Sequence, residues 1–209
     1  SGISGERLDA FKERLGAGFP QEPPRDVLES LNNLYKAGDF EGVLKTVTSM
    51  LGQFPNSAIL YDVQGTANSH LGNTDAAIES YRNAININPL FPPSHNNMGN
   101  TLKEKGDLKA AIASYSQAIK LKPDYADAFY NLGIALCAQG NYHEGLGNYE
   151  KCLEFNPGKL GAMIGRAEAL ISQGKLREGL VAKQRATGVF RFDLEAGVTL
   201  RMGEEIETA

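Results

Sequence analysis

The three histidines, His70, His95 and His143, are the side chains best suited to proton transfer or metal ligation near neutral pH. His143-Glu144 begins like the helix of a zinc protease, where a second histidine four residues after the first puts both ligands on one face. Gly147 stands in that place. Gly16-Ala-Gly18 has neither a following Lys-Ser/Thr nor a preceding strand, so it does not make a phosphate loop. Cys137 and Cys152 are the only cysteines, and two do not make a disulfide framework; they read as small packing residues. Glu41, Glu79 and Glu144 read as solubilising charges on helix surfaces. These residues imply no catalytic site, no cofactor and no metal, and the expectation is a protein that is not an enzyme.

The bulk composition excludes further classes. In 209 residues, 42% are hydrophobic and 22% charged, which suits a folded chain. A formal net charge of −4 offers no general attraction to nucleic acid or anionic lipid, so neither is expected as a partner. No apolar run approaches the roughly 20 residues that span a bilayer. The N-terminal stretch SGISGERLDAFKERL lacks the apolar core of a signal peptide, and a cytoplasmic location is expected.

What organises the chain is a period. Pro55, Pro89, Pro123 and Pro157 lie 34 positions apart, and Gly38, Gly72, Gly106, Gly140 and Gly174 keep the same step. Two punctuation series with one period mark stacked helical hairpins. The glycines, each followed by Asp39, Asn73, Asp107 or Asn141 in the first four cases, end one helix and place a capping residue before the next. The prolines close the second helix of each pair. Five units are therefore expected within residues 24–193, namely 24–57, 58–91, 92–125, 126–159 and 160–193. Residues 1–23 are expected to form an N-terminal extension with a capping helix from Glu6 to Leu15, and 194–209 a C-terminal tail. Val189-Phe190-Arg191-Phe192-Asp193 and Val198-Thr199-Leu200-Arg201 alternate apolar and polar residues around Leu194 to Gly197, which predicts a short β-hairpin.

Within the units, Phe129, Leu132, Gly133, Gly140, Tyr142, Tyr149 and Pro157 form one set. Met98, Gly99, Gly106, Ala111, Tyr115, Ala118 and Pro123 form a second, and Tyr61, Gly65, Ala67, Gly72, Ala77, Tyr81, Ala84 and Pro89 a third. This pattern resembles the tetratricopeptide repeat over about four-fifths of the chain. The resemblance implies an all-α fold, a right-handed superhelical solenoid of antiparallel helix pairs. Glycines and alanines would let helices approach, and tyrosines would fill the space between hairpins. The outer units depart from the pattern: Leu31 and Val47 stand where glycine and an aromatic are expected, and Gly179, Lys183 and Arg191 replace alanine, the aromatic and proline.

In that family the first helices line a concave groove. Carried onto this sequence, the groove positions are Asp62 and Thr66, then Asn96, Asn97, Asn100 and Lys103, then Asp127, Tyr130, Asn131 and Ile134. Asn97 and Asn131 share unit position 6, an arrangement similar to the asparagine ladder of the O-GlcNAc transferase repeats. A side-chain amide donates and accepts, so it pairs with a peptide backbone without reading its sequence. The carboxylate clamp of chaperone-binding relatives is not expected, because Asn96, Gly161 and Gly165 occupy the places of its cations. The resemblance implies a protein-interaction scaffold that binds an extended peptide or a partner helix. The alternative expectation is the N-terminal recruitment module of a larger enzyme of glycosyltransferase, sulfotransferase or oxygenase type, with its catalytic domain outside this chain. Self-association through the solenoid ends or the hairpin is a third.

Overall fold

A computed structural model describes residues 22–188, together with residues 190–191 and 201–202. The chain divides into two compact units, Ser1–Lys105 and Gly106–Ala209. The first contains α1 (Arg25–Lys36), α2 (Phe40–Leu51), α3 (Ala58–His70), α4 (Thr74–Ile87) and α5 (Pro92–Glu104). The second contains α6 (Leu108–Leu121), α7 (Ala126–Ala138), α8 (Tyr142–Phe155), α9 (Leu160–Ser172) and α10 (Leu176–Thr187). Each helix packs on its sequence neighbour within its unit, and first helices also meet first helices, α3 against α5 and α7 against α9. The fold is thus the all-α array of antiparallel helix pairs that the repeat implies. A two-residue antiparallel ladder pairs β1 (Phe190–Arg191) with β2 (Arg201–Met202) in the expected hairpin region. The turn between these strands and the capping helix expected at Glu6 to Leu15 lie outside the described residues.

The punctuation residues act by backbone chemistry. Gly38, Gly72, Gly106, Gly140 and Gly174 all take positive φ, between 74° and 89°. After α1, the Asp39 N–H bonds back to Leu34 O and the Gly38 N–H to Tyr35 O, both at 3.0 Å, so the turn satisfies carbonyls the helix leaves open. At the other end of the hairpins, Asn88, Lys122 and Asn156 precede proline and are extended, with φ of −128°, −134° and −138°. The proline ring disfavours helical geometry in the residue before it, and the helices end there. The last pair lacks that proline, and α10 stops instead at Gly188, whose φ is 68°.

One capping expectation is corrected. Asp39 accepts from the Gly42 N–H at 2.9 Å and Asp107 from the Ala110 N–H at 3.0 Å. Asn73 and Asn141 make no such side-chain bond. The Asn73 amide turns to Asn68 instead, with Nδ2 3.3 Å from Oδ1.

The small residues mark where rings enter. A Cβ at Gly65 would stand 2.6 Å from Cε1 of Tyr81, and one at Gly133 would stand 2.8 Å from Cε1 of Tyr149. Tyr149 also lies against Gly165, where a Cβ would be 2.6 Å from its Cζ. The first hairpin reaches similar packing by exchange. Leu31 replaces the glycine and Val47 the tyrosine, and both are buried in one cluster with Val43, Phe54, Leu60 and Ala67. The larger residue on the first helix takes up volume that the smaller one on the second gives back.

Candidate functional site

The polar residues predicted for a groove separate into two groups, one in each compact unit. In the N-terminal unit, Asp62, Thr66 and Ser69 recur at helical spacing on α3, and Ser94, Asn97 and Thr101 do so on α5. The two rows face each other. Ser94 Oγ donates to Asp62 Oδ1 at 2.8 Å, and Asn97 Nδ2 lies 3.4 Å from both carboxylate oxygens. Two turns further along, the Ser69 and Thr101 hydroxyls are 3.2 Å apart. Thr66 Oγ1 donates to Asp62 O at 3.0 Å and accepts from the Tyr81 hydroxyl at 3.2 Å. Asn96 Nδ2 donates to Asn97 Oδ1 at 3.4 Å. Asn96 is buried, whereas Asn97, Asn100 and Lys103 are half-buried along α5.

Burial pushes the Asp62 carboxyl above its ordinary range, and the bonds from Ser94 and Asn97 offset part of that. Burial lowers the pKa of His95, against a bond from its ring to Pro89 O at 3.2 Å. At the end of α3, the His70 ring stacks on Phe40, with centroids 4.3 Å apart and planes 3° apart. The Tyr35 hydroxyl lies 3.0 Å from His70 Nε2.

The C-terminal unit places Asp127, Tyr130, Asn131 and Ile134 on α7. Lys159 Nζ donates to Asp127 Oδ1 at 2.7 Å and sits 5.2 Å from the Tyr130 ring centroid. Tyr130 also fills the space beside Gly161, where a Cβ would be 2.6 Å from its hydroxyl oxygen. Ile134 packs against the cluster of Leu146, Tyr149, Cys152, Ala162 and Ala169 and is partly a core residue. Asn131 is half-buried. Tyrosine rings therefore occupy the space beside Gly161 and Gly165.

Both cysteines are free; Cys152 is buried and Cys137 half-buried beside Gly145. Burial raises both thiol pKa values, which leaves them poor nucleophiles. Among the described residues no group of three His, Cys, Asp or Glu side chains could hold a metal ion. Among the same residues, no helix is long and apolar enough to cross a membrane.

Sequence reasoning missed Ser94, Thr101 and Lys159. Ser94 and Thr101 are almost wholly buried, and small hydroxyl residues within a helix pattern look like packing residues. The signal was their spacing of seven, which repeats the Asp62 to Ser69 spacing on the neighbouring first helix.

Family models described as TPR repeat match residues 70–106 and 99–140, and one described as tetratricopeptide repeat matches 126–159. No curated protein matches the sequence. Among solved structures, that of MamA is similar with 24% identity and a TM-score of 0.68, covering 76% of this chain and 92% of that one. The pilF structure from Pseudomonas aeruginosa has 19% identity and a TM-score of 0.70, covering 78% and 76%. The first TPR of Spaghetti (RPAP3), bound to an HSP90 peptide, has 21% identity and a TM-score of 0.55, covering 56% and 93%. At these identities the likeness concerns the fold. The repeat matches over residues 70–159, the helix pairs and the glycine–tyrosine packing together show tetratricopeptide repeats in this chain.

Proposed function

We propose that the protein is a protein–protein interaction scaffold whose first helices bind an extended peptide or a partner helix, by binding alone and without turnover. The observation that carries this reading is the polar seam between α3 and α5. Asp62, Thr66, Ser69 and Asn97 are all half-exposed there, in a fold that needs only small or apolar residues to bring helices together. Every residue of an extended peptide other than proline offers one backbone donor and one acceptor. A surface of hydroxyl, amide and carboxylate groups can match both.

The fold supports a scaffold role, and one similar structure is of a tetratricopeptide domain bound to an HSP90 peptide. On this reading Asn97, Asn100 and Lys103 on α5 continue the peptide-contacting surface from Asp62 and Thr66, and the buried Asn96 supports Asn97 from behind by donating to its Oδ1. Asp127, Tyr130, Asn131 and Ile134 provide the corresponding surface on α7.

The test uses a displayed library of random dodecapeptides panned against the full chain, followed by titration of the strongest synthetic binder. Asn97→Ala combined with Asn131→Ala should weaken that peptide at least tenfold, with a nearly unchanged Tm. Wild-type affinity in the double variant would defeat the groove assignment.

A further inference from the structure

Resting on the peptide-binding reading above, we infer that Asp62, held in place by Ser94 and Asn97, reads a basic side chain of the bound peptide, a lysine or an arginine. The inference starts from what surrounds the carboxylate. Its hydrogen-bond donors are a hydroxyl and an amide, both neutral. Ser94 and Asn97 both address Oδ1, whereas Oδ2 receives only the long approach of Asn97 at 3.4 Å. An ionised carboxylate has about four acceptor sites, so Oδ2 retains capacity for a strong donor.

Other acids of the protein provide the contrast. Glu29, Asp75, Asp127, Glu154 and Glu168 each pair with a lysine or arginine of the chain. All five are well exposed, where water already screens a charge. Asp62 is more buried, and among the described residues no cation forms an ion pair with it. A carboxylate in poor contact with water, positioned by neutral groups and without a counter-charge, gains most from a cation that arrives with a partner. The desolvation that raises its pKa points the same way.

The arrangement also favours a cation over other ligands. Neither Ser94 nor Asn97 carries charge, so nothing beside Asp62 repels an ammonium or guanidinium group. An acidic or apolar residue placed there would leave the carboxylate desolvated and unpaired, which selects against it.

The experiment pans the same dodecapeptide library against the full chain as wild type, Asp62→Asn and Asp75→Asn. The last removes an equal charge from an exposed site on α4. Wild type and Asp75→Asn should enrich binders with lysine or arginine at one fixed position. Replacing that residue by glutamine in a synthetic binder should cost at least tenfold in Kd for wild type, and less than twofold for Asp62→Asn. A second readout needs only the wild type: the Asn97 side-chain amide resonances should shift on titration with the basic peptide and stay in place with its glutamine version.

Binders without a fixed basic residue, or an equal glutamine penalty in Asp62→Asn, would overturn the role of Asp62 and leave peptide binding standing. Unmoved Asn97 resonances with a basic peptide that binds would overturn it too. No binders to any form would overturn both readings.

Discussion

The ring of Tyr81 occupies the volume that a side chain at Gly65 would need: a Cβ there would lie 2.6 Å from Cε1 and 2.7 Å from Cδ1. Tyr81 is buried and anchored through its hydroxyl to Thr66, so it has little room to yield. Gly65→Ala is expected to destabilise the protein by about 1–3 kcal/mol through overpacking. The internal control is Gly147, an exposed glycine within α8 whose added Cβ would meet nothing within 4 Å. Gly147→Ala should stabilise by about 0.5–1 kcal/mol, since alanine loses less backbone freedom on folding. Urea midpoints of the two variants should move in opposite directions.

The first hairpin offers a test of volume exchange. Leu31 and Val47 take the positions that Gly65 and Tyr81 hold one repeat later. Leu31→Gly should cost at least about 2–5 kcal/mol by leaving a cavity, and Val47→Tyr about 1–3 kcal/mol by overfilling. Together they should cost less than the sum of the single changes, because the new ring enters the new space. Strict additivity in a double-mutant cycle by urea denaturation would contradict the exchange.

Caps that look alike in sequence should differ in energy. Asp107 accepts the Ala110 N–H, whereas Asn141 makes no side-chain cap bond. Asp107→Ala should cost about 1 kcal/mol, and Asn141→Ala no more than a few tenths. Equal losses by thermal denaturation would show that the backbone turn, and not the side chain, sets the cap energy at both sites.

Asp62 should impose its own pH dependence. Its folded pKa is raised above the ordinary 3.8 by burial. The stability it contributes is therefore fully present below that value and is lost as pH rises through the folded pKa. Asp62→Asn removes this titration, so the Tm of the variant minus that of the wild type should be larger at pH 7 than near pH 3.8. A constant difference across that range would show that the carboxylate is better compensated than its surroundings indicate.

Much of the fold is legible in sequence because its punctuation is backbone chemistry. A glycine at positive φ recurs in all five repeats and a residue held extended before proline in the second, third and fourth, so Gly72 and Pro89 reveal themselves by position. The site is less legible. Asn97 reads as an amide for peptide backbone, yet its Nδ2 already leans on Asp62. That contact depends on how far α5 is offset along α3, which no single repeat encodes. Ser94 and Thr101 stay hidden for the same reason: their partners lie on the preceding repeat. Asn73 shows a further limit, since an amide with two local partners chooses between them on geometry that the residue type does not specify.

Tyr149 touches the glycines of two successive first helices, Gly133 on α7 and Gly165 on α9, and is almost wholly buried between them. The final helix pair therefore cannot detach from the preceding one without opening a face of this ring to water. Nearest-neighbour arrays often fray inward from their ends, one repeat at a time. Here the shared tyrosine couples two repeats into one opening event. Amides of α8 and α9 should therefore exchange with hydrogen from solvent as a single cooperative block.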